Sequence, residues 1–330
     1  MPRLTDVRSR LGLPDSAASW YDTWERLGPP EGPVPLPSAA ELDSLLTGRL
    51  GCDPIDAAAV AAARPDPDAD PELWWVMERC YRHLLADMGG IEMLLWPQLP
   101  DKWGATGRFV HLYALLAAIP ETLAYNRSRG IEDEITWATL SNVAEKLRLN
   151  RARFGVPGLE VAHWFTLHFR GAIHRLGRLE FAPERAGEGF PDVDAGDLVL
   201  GVHIPQDGGP MSPDACAASI AWAREFFPHH FGDRFASRPL FVCSSWLLDP
   251  KLAEVLRPDA NIVAFQKLFE LLPAGEDASE LGEKDVLRFV FDQVGDTDLA
   301  SLPRDSTLRR VLAEGFAEPR GWQVRTGWFR

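Results

Sequence analysis

The chain has 330 residues, of which 46% are hydrophobic, and its 34 Lys and Arg stand against 48 Asp and Glu for a formal net charge of −14. At roughly 100–200 residues per domain, this is enough for about two domains, each burying a core without disulfide or metal staples. Both sides of Phe154 are acidic, so neither offers the basic surface that phosphate-backbone binding requires, and no nucleic-acid partner is expected.

Along the chain, Gly28–Pro37 is a proline-rich connector. Asp53-Pro54 places an N-cap and an N1 proline before a short alanine-rich helix, Ile55–Arg64. After the turn-rich Arg64–Pro71, the residues Leu73, Met77, Cys80, Leu84 and Met88 recur at three- and four-residue steps, which is a helical period. Gly104–Arg129 and Glu132–Arg153 continue in the same style. The nearly apolar run Phe109–Pro120 falls short of the roughly 20 residues of a membrane-spanning helix. Met1–Arg10 is charged rather than a leader, so the expected location is the cytoplasm, with no membrane partner.

The style changes after Phe154. Leu159–Leu176 reads as one more helix, but Arg178–Phe181 and Leu198–Ile204 are short and rich in Leu, Val, Ile and Phe, as strands are. The order continues with a glycine-rich turn (Gln206–Met211), a helix (Ser212–Phe227), a strand (Leu240–Trp246), a helix (Pro250–Leu256), a strand (Phe265–Leu272), a helix (Thr307–Phe316) and a strand in Trp322–Phe329. The expectation is an α+β (α/β) protein, with a helical domain over 1–154 and a mixed-sheet domain with flanking helices over 155–330.

Cys52, Cys80, Cys216 and Cys243 are widely spaced and read as structural thiols. His163, His168 and His174 do not share one helical face, and no nearby carboxylates stand at ligand spacing, so no metal is expected. Ser244-Ser245 closes a strand but lacks the flanking glycines of a hydrolase elbow. Gln206–Met211 is more informative, because strand, glycine pair and helix N-terminus follow one another directly. Such a junction either binds an anion on backbone N–H groups and the helix dipole or is a β–α turn that needs glycine. His203, embedded in the apolar strand before it, is either a core hydrogen-bonding residue or a group placed for acid–base work.

Four segments, Phe109–Ile131, Gly158–Phe181, His203–Phe227 and Phe241–Leu271, resemble the bacterial two-domain acyltransferases, in which a helical acyltransferase N-terminal domain precedes a GNAT-like C-terminal domain. The resemblance runs from about Pro37 to Phe329. It implies an acyl-CoA co-substrate lying where the strands Leu198–Ile204 and Leu240–Trp246 splay, its pyrophosphate at Gln206, Asp207, Gly208, Gly209 and Met211. It further implies His203 as the base and Ser244 or Ser245 as donors to the leaving thiolate.

The implied function is transfer of an acyl group to an amine or hydroxyl of a small-molecule acceptor bound between the two halves. The acidic composition favours a cationic acceptor. The alternative is a binding or regulatory protein that keeps the fold without turnover. Three departures bear on this choice. Pro210 removes one N–H from the loop, and all four tyrosines precede Phe154. Cys243-Ser244-Ser245-Trp246 stands where the family commonly reads Cys-His-Ser-Trp.

Overall fold

The computed structural model describes residues 4–235 and 239–330. The expectation for Met1–Arg10 can therefore be followed only from Leu4, where the first helix begins. The described residues fall into two compact units that meet in sequence at Arg175/Leu176.

The first unit is helical: α1 (Leu4–Leu11), α2 (Ala18–Leu27), α3 (Ala39–Asp43), α4 (Pro54–Ala62), α5 (Pro71–Ala86), α6 (Gly104–Ala117), α7 (Ile119–Ser128), α8 (Asp133–Leu140), α9 (Asn142–Phe154) and α10 (Ala162–His168). The caps read from sequence are present. Asp53 accepts from the N–H of Ile55 at 2.8 Å with Pro54 in the first turn of α4. The core gathers Trp24, Val76, Phe109, Phe165 and Phe169, and the Tyr113 hydroxyl donates to Val60 O at 2.7 Å.

The compact unit runs past the expected division at Phe154, because Phe165 of α10 and Phe169 just after it are buried in this same core. The helix expected over Leu159–Leu176 stops at His168. There Ala172 N–H reaches back to Leu167 O at 2.9 Å and Gly171 N–H to His168 O at 3.2 Å, a Schellman closure that the apolar spacing could not reveal.

The second unit is built on a six-stranded mixed sheet of order β1-β2-β3-β4-β6-β5. Its elements are β1 (His174–Leu176), β2 (Leu179–Arg185), β3 (Leu198–His203), α11 (Pro213–His230), β4 (Phe241–Ser245), α12 (Lys251–Val255), α13 (Asn261–Gln266), β5 (Glu270–Leu271), α14 (Ala278–Val290), α15 (Thr307–Gly315) and β6 (Arg325–Phe329). Helix α11 runs through Pro228: that residue forfeits an N–H, yet Phe231 N–H still closes on Phe227 O at 2.8 Å.

The strand expected at Phe265–Leu272 is mostly absent. Phe265 and Phe269, four residues apart, form a tilted ring pair at 5.0 Å across the end of α13, and only Glu270–Leu271 is extended. A short apolar run does not distinguish the two periods. Helix α14 has no counterpart in the sequence reading. Among the described residues, no helix is long and apolar enough to cross a membrane.

The two faces of this sheet differ. Phe181, Phe241 and Phe329 share one face, Phe241 lying edge-on to Phe181 at 5.9 Å and stacked on Phe329 at 4.8 Å. Helix α11 covers this face, with Arg224 over the Phe241 ring, and Phe269 packs on Phe329. On the other face, Ala186, Val199, Leu240 and Val242 form a small apolar floor with Phe190, Val193 and Trp328 beside them.

Candidate active site

Strands β3 and β4 are parallel and adjacent in the middle of the sheet, but they pair at only two positions, Leu200 with Phe241 and Gly201 with Val242. Leu200 N–H donates to Leu240 O at 2.8 Å at the start of this pairing. Beyond it each strand keeps its outer neighbour. Val202 and His203 stay in register with Phe181 and Glu180 of β2. Cys243, Ser244 and Ser245 stay in register with Gly327, Thr326 and Arg325 of β6. The result is a fork with its apex at Gly201 and Val242 and its mouth between His203 and Ser244. Backbone N–H and C=O groups that would have closed the ladder instead line the opening.

The two-residue period assigns the side chains. His203, two residues past Gly201, and Ser244, two residues past Val242, lie on the face with the apolar floor. His203 is partly buried and Ser244 exposed. The Ser244 hydroxyl is 2.8 Å from the hydroxyl of its cross-strand partner Thr326. Ser245 points to the opposite face, where its Oγ accepts from Leu247 N–H at 3.1 Å and caps a short turn of helix. The structure therefore brings His203 and Ser244 to one side of the fork and gives Ser245 a backbone partner. Cys243, on the packed side, is fully buried, and that burial pushes its thiol up to about 12.

The glycine-rich loop leaves the end of β3 and folds around a side chain that the sequence reading passed over. The guanidinium of Arg178, at the β1–β2 turn and 8% exposed, donates from Nε to Gly209 O at 3.0 Å and from Nη1 to Pro205 O at 2.9 Å. Arg178 N–H donates to Ser219 Oγ of α11 at 2.8 Å, tying the turn to the helix. Gly209 has φ +73°, a conformation that favours glycine, and it turns the carbonyl toward Arg178.

Gln206 Nε2 is engaged with Phe289 O at 2.9 Å. Asp207 is exposed, and Gly208 and Met211 are partly so. Ser212 caps α11 by accepting from Ala215 N–H at 3.3 Å, and Pro213 has no N–H to offer. Asp214 N–H remains as the first-turn donor, so an anion here would rest on the loop's own N–H groups and on the Arg178 charge more than on the helix end.

A second residue missed from sequence is Glu184 on β2. Its carboxyl lies over Gly201 at the apex of the fork: a Cβ built on Gly201 would meet Glu184 Oε2 at 2.6 Å. A larger residue there would force the carboxyl to move aside. Glu184 is half-buried, and this loss of water raises its carboxyl from the ordinary value to about 7. Neither Glu184 nor Arg178 stands in a recognisable motif, because their partners lie 17 and 27–31 residues away. The one local signal is a pair of carboxylates, Glu180 and Glu184, four residues apart and so on one face of a strand that also carries Leu179, Phe181 and Ala182. Among the described residues, no group of three or more His, Cys, Asp or Glu is arranged to hold a metal.

Two central parallel strands that part, followed by a glycine loop and a helix, define a GNAT-like fold. Comparison with known proteins agrees. Residues 173–329 match the GNAT-like C-terminal domain family and residues 40–171 the N-acyltransferase N-terminal domain family. Solved structures of acyltransferases are similar over the whole length. One, in complex with decanoyl-CoA and teicoplanin, is 36% identical with a TM-score of 0.91, covering 99% of each chain. Another, in complex with CoA and 10C-Teicoplanin, is 35% identical with a TM-score of 0.91, covering 100% of this chain and 99% of its own. A third, an acyltransferase mutant in complex with octanoyl-CoA, is 35% identical with a TM-score of 0.91 over 99% of both chains. No curated protein matches the sequence. The chain belongs to the two-domain acyltransferase family, with an N-acyltransferase N-terminal domain and a GNAT-like C-terminal domain.

Proposed function

We propose that this protein is an acyl-CoA-dependent acyltransferase that moves an acyl group to an amine or hydroxyl of a small-molecule acceptor. The observation that carries this reading is the fork, because β3 and β4 stop pairing beyond Gly201 and Val242 and set a histidine and a hydroxyl on one side of its mouth. The thioester enters between the strands. His203 takes the proton as the acceptor attacks the carbonyl carbon. Backbone N–H groups at the fork hold the oxyanion that develops. Ser244, whose hydroxyl is already paired with Thr326, donates to the departing thiolate.

In this reading the pyrophosphate meets the N–H groups of Gln206, Asp207, Gly208, Gly209 and Met211, with the Arg178 charge beneath them. Its similarity to acyltransferases bound to octanoyl-CoA, decanoyl-CoA and teicoplanin supports a medium-length acyl chain and an acceptor of the glycopeptide kind. The net charge of −14 favours a cationic acceptor.

The second reading, a binding protein without turnover, is favoured by the sparse donors in the first turn of α11. One assay separates the two. The protein is mixed with decanoyl-CoA and, in turn, teicoplanin, an aminoglycoside and a polyamine, and released CoA thiol is followed. Acceptor-dependent thiol release supports the transferase. Thermal stabilisation by decanoyl-CoA without release from any acceptor supports the binding protein, and neither effect overturns both.

A further inference from the structure

We propose, resting on the transferase reading above, that Glu184 is a second proton-handling group of the centre. Its carboxylate receives the ammonium of an amine acceptor at the apex of the fork and removes one proton, so that the amine attacks in its neutral form.

The placement comes first. Glu184 is the cross-strand partner of Val199, and its side chain leans diagonally onto Gly201, the residue at which β3 and β4 stop pairing. His203 is the next residue of β3 on the same face, two positions toward the mouth, a rise of about 7 Å along the strand. Glu184 and His203 thus flank the place where an amine must sit to reach a thioester held in the fork. The other acidic group of the strand on that face, Glu180, is engaged with a neighbour, whereas burial is the one cause that raises the Glu184 carboxyl, with no neighbouring charge beside it. The ionisable groups around it are Glu180 on its own strand, His203 on β3 and Cys243, which lies on the far face of β4. The carboxylates of the segment that follows β2, Glu188, Asp192, Asp194 and Asp197, are exposed. Apart from His203 when it holds a proton, none of these groups carries a positive charge. Burial alone sets its affinity for protons, near neutrality.

The chemistry balances with two protons. R–NH3+ gives one to the Glu184 carboxylate, leaving R–NH2 and a carboxylic acid. The nitrogen lone pair forms the C–N bond, and the C–S bond breaks with its electrons leaving on sulfur. The second nitrogen proton passes to His203 and is matched by the one that the thiolate takes up, so CoA–SH and the amide result. Glu184 then returns its proton to solvent. A carboxyl of ordinary acidity would hold an ammonium as an ion pair without deprotonating it. One with an affinity close to neutral narrows the gap to the amine.

The test compares benzylamine, protonated at neutral pH, with O-benzylhydroxylamine, of similar shape and neutral at the same pH. Both are used as acceptors with decanoyl-CoA, and CoA release is read for the wild type, Glu184→Gln and His203→Ala. The expected result at pH 7 is a fall of about 10²-fold in kcat/KM for benzylamine in Glu184→Gln and little change for the alkoxyamine. The benzylamine deficit shrinks as pH rises and solution itself supplies neutral amine. His203→Ala lowers both. An equal loss with both acceptors at every pH reduces Glu184 to a structural group, and unaltered benzylamine turnover in a folded Glu184→Gln protein overturns the proposal. If the wild type releases no CoA with benzylamine but does so with another acceptor, Glu184 loses this role while the transferase reading stands. If the wild type releases none with any acceptor, the transferase reading fails and this proposal with it.

Discussion

The two faces of the central sheet carry the same alternation of residues and use their polar groups in opposite ways. On the face under α11, the aromatic side chains Phe181, Phe241 and Phe329 interlock, and the two polar groups of β4 there are absorbed: Cys243 is buried with its thiol shifted up, and Ser245 caps a backbone N–H. On the other face the apolar floor stops at Val199 and Val242, and from Gly201 outward come Glu184, His203 and Ser244. A fork in a sheet is symmetric in its backbone. Chemistry becomes one-sided when a helix occupies one face.

That contrast can be broken most strongly from the packed side. Phe241→Ala removes the ring that contacts both Phe181 and Phe329, and is expected to destabilise the protein by about 3–5 kcal/mol in urea unfolding, with binding and rate lost together. On the open side the expectation reverses. His203→Ala should lower turnover by about 10²–10⁴-fold, while the melting temperature and the affinity for decanoyl-CoA stay near wild type, because in the proposed scheme His203 handles a proton and the loop after β3 holds the cofactor. A fall in melting temperature that tracks the loss of rate would make His203 a core residue instead.

A pH series sharpens the comparison further. The Glu184 carboxyl is raised from 4.5 to about 7, so the folded protein holds this proton more tightly than the unfolded chain does. Its contribution to stability is then fully present below about pH 4.5 and is lost as pH rises through about 7, on the order of 3 kcal/mol in all. Glu184→Gln should flatten that part of the curve, seen as a smaller difference in unfolding free energy between pH 5 and pH 8. An identical slope in the variant would mean the carboxyl is not shielded from water by the fold.

The serine pair gives the smallest effects. Ser245→Ala is expected to cost about 1 kcal/mol through the lost cap. Ser244→Ala should leave stability within about 0.5 kcal/mol yet slow turnover more than Ser245→Ala does. The reverse order of rates would put the catalytic hydroxyl on the packed face.

Local pattern settled a good deal. The helical style before Phe154, the order strand, glycine loop, helix, strand after Leu198, and the capping of α4 all follow from interactions within a few residues. So does the candidate status of His203, a polar side chain in an apolar strand. The parallel adjacency of β3 and β4 could be anticipated from that order and from the family resemblance, and the structure has it.

Other features needed partners that no local pattern contains. The end of α10 depends on a backbone closure at Gly171, and the short extent of β5 on Phe265 and Phe269 packing as a helical pair. Where β3 and β4 part is decided by how each keeps its outer neighbour, and the separation of Ser244 from Ser245 by which face α11 covers. Arg178 beneath the loop and Glu184 above Gly201 are the clearest instances. Each acquires its meaning from a partner that only the folded sheet brings within reach, because burial and proximity are properties of the packed chain rather than of the residues in order.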